Sequence, residues 1–220
     1  MTSRPRLLAL LSILLAAVGL AACGGTSEPS ATTAAPPTTA APTRAVSRDT
    51  APAYVPSGEG VHVTSVVKAG TVYEIVLNGV IRVPNVRIID GTKGKFLGFP
   101  QREADGHRFD YVYIDSTANP GLVAEVEGGH GVQGNKGFTI TKAEVHRLDT
   151  GGKKKAFVTF FLNDGAVKLY SWSLIEGERG LWLAAPSEKA GNDFADVVEA
   201  SDRDFKKALE NAAIEAFDRG

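Results

Sequence analysis

"IIDGTKGKFLGFPQREADGHRFD" occupies Ile88–Asp110, and "LIEGERGLWLAAPSEKAGNDFAD" occupies Leu174–Asp196. Each begins with a branched apolar pair, an acid and a Gly. A second Gly follows three residues on, then an apolar run and a Pro. At a single offset of 86 positions, Gly79, Gly91, Gly94, Leu97, Pro100, Ala104 and Asp110 coincide with Gly165, Gly177, Gly180, Leu183, Pro186, Ala190 and Asp196. A long-period repeat of this kind governs the architecture, because each copy is a structural unit. The folded part is therefore read as two units, residues 58–130 and 131–220.

The patterns inside each copy are those of strands. In the second unit, alternation from Phe138 to about Leu148 predicts a strand, and Asp149–Lys155 a turn with a charged tip. Ala156–Leu162 is an apolar, β-branched and aromatic buried strand. Asn163-Asp164-Gly165 makes a hairpin turn, since Asn and Gly tolerate positive φ. Val167–Ile175 returns, and Leu181–Ala185 is a further strand stopped by Pro186. The first unit repeats this meander at Val61–Val67, Val72–Leu77, Val80–Ile89 and Lys95–Phe99. Its Asn78-Gly79 is a hairpin signal. Pro84 cannot donate to a ladder and so requires an edge or a bulge.

A helix closes the second unit. Ser201-Asp202-Arg203-Asp204 fits a capping box with Ser201 as N-cap. Phe205, Ala208, Leu209, Ala212, Ala216 and Phe217 recur at helical spacing on one face. Ile214 is the odd apolar member of the opposite face. In the first unit, Asn119-Pro120-Gly121 leaves room for only one or two helical turns before Gly128-Gly129. The fold class is α+β, two tandem antiparallel meanders with a C-terminal amphipathic helix on the second.

Ile89-Asp90-Gly91, Gly94, Phe96-Leu97, Pro100-Gln101-Arg102, Asp105-Gly106 and Phe109-Asp110 resemble the septation protein SpoVG family. So do Ile175-Glu176-Gly177, Gly180, Trp182-Leu183, Pro186–Lys189, Phe194 and the helix from Asp202. The resemblance implies a small, dimeric, non-enzymatic protein that binds DNA and RNA and affects gene expression and division. Two copies in one chain would form a pseudo-dimer. The resemblance places phosphate contacts at Arg102 and Lys189, after the Pro, and at Arg203, Lys206 and Lys207 on the helix. Glu188 departs from the pattern, and Asp202, Asp204 and Glu210 dilute the basic helix.

The N-terminus points to export. Arg4 and Arg6 precede an apolar run from Leu7 to Ala22, a secretory signal over residues 1–22. The run ends Leu20-Ala21-Ala22-Cys23, which resembles a bacterial lipobox and implies lipidation of Cys23. The expected location is the outer face of the cell membrane or the outer membrane. Residues 23–57 are rich in Thr, Ala, Pro and Ser and are read as a disordered tether. Cys23 is the single Cys, so no internal disulfide or thiol catalyst is expected.

Charge argues against a global phosphate-seeking field. The formal net charge is −1. Residues 61–127 carry seven Lys/Arg against eight Asp/Glu, and 138–220 twelve against fourteen. Phosphate binding needs several uncompensated cations. Lys153-Lys154-Lys155 is the one dense basic run, suited to phosphate, anionic lipid or acidic polymer, or simply to a solvated hairpin tip. Trp172 and Trp182 offer stacking surfaces, yet both lie in apolar strands that favour core packing. His62, His107, His130 and His146 show no metal-cage spacing, and no catalytic set or cofactor motif is evident. The expectation is a non-enzymatic envelope lipoprotein that scaffolds or binds a protein or anionic polymer. Nucleic-acid binding linked to septation or gene regulation is the alternative.

Overall fold

The computed structural model describes residues 54–56, 60–115, 119, 121–133 and 136–220. The signal segment, Cys23 and most of the tether lie outside the described residues. All described residues belong to one compact unit, Asp49–Gly220. Tyr54, which the sequence reading placed in the tether, packs its ring 5.3 Å from that of Phe205. An aromatic side chain with an apolar acceptor surface leaves water even when its neighbours are polar.

The first meander is β1 (Val63–Ala69), β2 (Val72–Leu77), β3 (Ile81–Gly91) and β4 (Gly94–Gly98). A two-stranded ribbon follows, β5 (Gln101–Ala104) and β6 (His107–Asp110), then β7 (Val112–Ile114) and helix α1 (Leu122–Gly128). The C-terminal half has β8 (Ile140–Arg147), β9 (Lys154–Leu162), β10 (Val167–Gly177), β11 (Gly180–Ala184), ribbon strands β12 (Ser187–Ala190) and β13 (Asp193–Asp196), and β14 (Glu199–Ala200). Helix α2 (Arg203–Arg219) closes it. The bounds of β3, β4, β5 and β6 recur at the offset of 86 in β10, β11, β12 and β13. The expected meanders are present. The two ribbons and the short strands β7 and β14 were not anticipated.

Each half contributes a strand to the other's sheet. One sheet runs β1-β2-β3-β14, with β4 also on β3; the other runs β11-β10-β9-β8, with β7 also on β10. The pairings are antiparallel, Val167 opposite Ile114 and Lys168 opposite Tyr113 in one, Ile81 opposite Ala200 and Arg82 opposite Glu199 in the other. Beyond each strand the next residue continues the ladder. Asp115 N–H donates to Ala166 O and Ser201 N–H to Val80 O, both at 2.9 Å. These pairs map on one another at the same offset; β7 adds a third, Leu169 opposite Val112.

Both central strands bulge at the same place. Register shifts fall between Val83 and Val86 and between Leu169 and Trp172. Asn85 (φ 57°) and Ser171 (φ 64°) take left-handed backbone there. Pro84 thus sits in a central strand, tolerated because the bulge interrupts its ladder.

One core runs beneath both halves. Ile75, Leu77 and Ile81 from the first join Phe138, Phe160, Leu169, Trp172 and Phe205 from the second, all fully buried. Trp172 and Phe160 meet edge to face, centroids 5.9 Å apart, an arrangement adding about 1 kcal/mol to their burial. α2 buries Phe205, Leu209 and Ala213, spaced by four. Its N-cap is Asp202, not Ser201: Asp202 Oδ1 accepts from Asp204 N–H at 3.0 Å and Phe205 N–H at 2.9 Å. Ser201 is committed to the ladder with Val80, so the cap falls one residue later. Ile214, the odd member of the polar face, packs against the core.

Candidate functional site

The site is an open groove of about 940 Å3 whose walls come from both halves. Its floor is the outer face of the β3–β4 hairpin, where Arg87, Ile89, Phe96 and Gly98 share one side of the pleat. β6 and β7 supply Arg108, Asp110 and Tyr113, and the β12–β13 ribbon supplies Glu188, Lys189 and Asp196. A position two residues away along a strand returns to the same face, which is why Arg87 and Ile89 both look into the groove.

The repeated Gly positions shape this floor. A Cβ on Gly91 would lie 3.0 Å from the Phe96 ring, and one on Gly177 would lie 3.3 Å from the Trp182 ring. Each Gly lets a cross-strand aromatic ring settle over the backbone. The rings remain 47% and 46% exposed. Trp182 is therefore a surface residue, contrary to its expected core role. Its strand is apolar because Leu181 and Leu183 face the core, Leu183 only 2% exposed, while Trp182 takes the opposite side of the pleat. Trp172 is fully buried, as expected.

Polar contacts organise the groove's rim. Gln101 Nε2 donates to Asp110 Oδ1 at 2.5 Å. Tyr111 Oη donates to Glu188 Oε1 at 3.0 Å, joining the end of one ribbon to the start of the other. Burial first, and then the adjacent Glu188 carboxylate, pushes the Tyr111 hydroxyl up to about 12, because both disfavour a phenolate. Beneath the exchanged strand, Arg82 donates to Glu199 Oε2 from Nε at 2.8 Å and from Nη2 at 2.5 Å. Its Nη1 reaches Glu74 Oε2 at 3.1 Å. The two carboxylates hold Arg82 above its ordinary range, the Glu199 hydrogen bond contributing most.

The cations nominated from sequence fall in four places. Arg102 is on β5, its guanidinium 5.1 Å from the Phe109 ring centre, and Lys189 is on β12 in the groove. Lys153, Lys154 and Lys155 stand at the β8–β9 hairpin; Lys154 lies over Phe157 at 4.9 Å and Lys155 pairs with Glu176 at 2.7 Å. Arg203, Lys206 and Lys207 are exposed on the first turns of α2, where Lys207 pairs with Glu210 at 3.0 Å. Of the eight, only Lys189 is brought to the groove. Its companions Arg87 and Arg108 were missed; Arg108 lies within the duplicated stretch and Arg87 just before it, and the repeat puts Ser173 and Phe194 at their positions in the second half, so it singled out neither. Among the described residues no cluster of three His, Cys, Asp or Glu is placed to hold a metal ion. None of their helices is long and apolar enough to cross a membrane.

The second half of this architecture matches the SpoVG family model over residues 138–219. A protein of Desulforudis audaxviator is 30% identical over 80 residues, which span 36% of this chain and 90% of that protein. The chain belongs to the SpoVG family. A Clostridioides difficile protein is 32% identical over 79 residues, 85% of its own length. One from Staphylococcus carnosus is 28% identical over 80 residues, 74% of its length. All three are provisionally named septation protein SpoVG. The SpoVG match thus takes in the sheet strands β8 to β11, the β12–β13 ribbon and α2. It also includes β14, the strand that pairs with β3.

Proposed function

We propose that the chain is an exported lipoprotein in which two SpoVG-type units form an internal pseudo-dimer that acts without catalysis, as a binding or scaffolding module in the cell envelope. The observation that carries the pseudo-dimer is the reciprocal exchange: β7 on β10 and β14 on β3 use the same register at the offset of 86. A closed two-fold pair produces such mutual contacts, residue i on j and j on i. The Leu20-Ala21-Ala22-Cys23 run supports export and anchoring, and the relatives' name makes septation the envelope process to examine first. Surface charge supports a partner other than nucleic acid. Lys155 and Lys207 are paired with acids, and acids outnumber Lys and Arg over residues 61–127 and 138–220, whereas phosphate tracking needs cations in excess.

The test labels cells producing the full chain with a palmitate analogue and fractionates them. Label and membrane association are expected in the parent and lost in Cys23→Ser. Salt-titrated binding to single- and double-stranded DNA and RNA is measured in parallel. Micromolar binding that weakens steeply with salt would replace the scaffolding role with nucleic-acid binding.

A further inference from the structure

The two halves differ at one sheet edge. In β11 the Leu183 N–H points away from β10 and donates to Glu210 Oε2 of α2 at 3.2 Å. Leu97 holds the same register in β4, opposite Ile88 as Leu183 is opposite Leu174. In an antiparallel ladder the N–H and C=O of one residue face the same side, so Leu97 and Lys95 turn theirs away from β3. Among the described residues no acceptor meets the Leu97 N–H. The adjacent helix has 7 residues where its counterpart has 17. Its carboxylates are engaged: Glu125 accepts from Val63 N–H at 2.7 Å, and Glu127 holds Lys95 Nζ. Lys95 stands at the position of Leu181 in the second half. An edge left unpaired is a template for another strand.

The groove runs along this edge, bordered in succession by Phe96, Leu97, Gly98 and Phe99. The Leu97 side chain packs against the core, so its main chain is what borders the groove. Ile89 and Phe96 present 39% and 47% exposed apolar surface on the floor. Arg87, Arg108 and Lys189 line it with no ion pair among the described residues. Of the groove's three carboxylates, Asp110 and Glu188 already accept from Gln101 and Tyr111, leaving Asp196. Open donors therefore outnumber open acceptors.

We propose that the β4 edge and its groove bind an extended acidic peptide of a protein partner. The peptide adds as a strand beside β4, with an apolar side chain on Phe96 and carboxylates toward Arg87, Arg108 and Lys189. Main-chain pairing supplies affinity in this mode, and alternate side chains supply specificity. The proposal deepens the binding role above and rests on it.

The full chain is titrated with two short synthetic peptides, a Val–Glu peptide repeating Val-Thr-Glu-Thr and a Val–Lys peptide repeating Val-Thr-Lys-Thr, so that Val and the charged residue share one face of the strand, while amide hydrogen exchange is followed residue by residue. The Val–Glu peptide is expected to bind and to slow exchange at Leu97 and Lys95 about tenfold, leaving Leu183 unchanged. Arg108→Glu with Lys189→Glu, both exposed positions, weakens binding about tenfold or more. Lys95→Leu releases Glu127 to accept from Leu97 as Glu210 does from Leu183, and removes the peptide's effect on exchange. Binding of neither peptide, preference for Val–Lys, or binding without protection of Leu97 overturns the proposal. So does displacement of the peptide by a single-stranded oligonucleotide. A failed titration leaves palmitate labelling of Cys23 untouched, and failed labelling leaves the titration untouched, so the two readings fail separately.

Discussion

Asn78 shows how much one buried amide can organise. It is fully buried. Its Nδ2 donates to Gly60 O and to Gly137 O, each at 3.0 Å, and its Oδ1 accepts from His62 N–H at 2.8 Å. The side chain thus ties the start of β1 to the segment that leads into β8. Asn78→Ala strands those groups, and each unsatisfied buried polar group costs about 1–3 kcal/mol. A loss of about 3 kcal/mol is expected in urea unfolding, with the slope unchanged. A loss under about 0.5 kcal/mol would show that water replaces the amide. The sequence announced half of this residue's role. Asn78-Gly79 read as a turn because its backbone requirement is local, and Asn78 does take φ 43°. Its hydrogen-bond partners lie up to 59 residues away, and no local pattern names them. Trp172 and Trp182 make the same point. Both sit in apolar strands, and only the packing of the sheet separates a core ring from an exposed one.

Among the elements, α2 was the most legible, because its apolar positions repeat over several turns. Its boundary was misplaced by one residue, since Ser201 and Asp202 are both good caps and the choice is made by the Ser201–Val80 ladder bond. The two candidates separate experimentally. Asp202→Ala removes two capping bonds and the 3.0 Å contact with Lys136, and should cost about 1–2 kcal/mol. Ser201→Ala leaves its backbone bond in place and should stay within about 0.5 kcal/mol. Equal losses in thermal or chemical unfolding would return the cap to Ser201. Asp202 also accepts hydrogen bonds that hold its carboxyl below the usual carboxylate range, the Phe205 N–H foremost. The unfolded chain therefore takes up that proton first, and this share of stability is lost as pH falls below the ordinary carboxylate value. The ribbons were illegible for the opposite reason. β5–β6 and β12–β13 are exposed almost throughout. They carry no buried face and hence no periodicity to read. The groove's second wall is one of them, so the site was only half visible.

At the scale of the molecule, the exchanged strands bind the halves into one folding unit. β7 and β14 have three and two residues, too short for any pattern to reveal, yet each completes the sheet of the half it does not belong to. Neither sheet is whole without the other half. Unfolding in urea is therefore expected to be a single transition. Tryptophan fluorescence, from Trp172 and Trp182 of the C-terminal half, should coincide with far-ultraviolet circular dichroism, which reports both halves. Two separated transitions would mean that the halves fold independently and that the exchange is a late docking step. The long repeat made the two halves legible; the seam between them depends on pairing across more than a hundred positions, such as Arg82 with Glu199.

That seam lies within a single polypeptide, and mass action treats it differently from a contact between separate molecules. Separate subunits part on dilution, whereas covalently joined halves meet at an effective concentration fixed by their connection. The assembled form then persists however sparse the molecule becomes. The join also releases the halves from identity. On the proposed reading as a joined pair, a single side can change alone, whereas a symmetric pair repeats every substitution twice. Lys95 in place of Leu181, and one short helix beside one long one, are asymmetries that a pair of identical subunits could not hold.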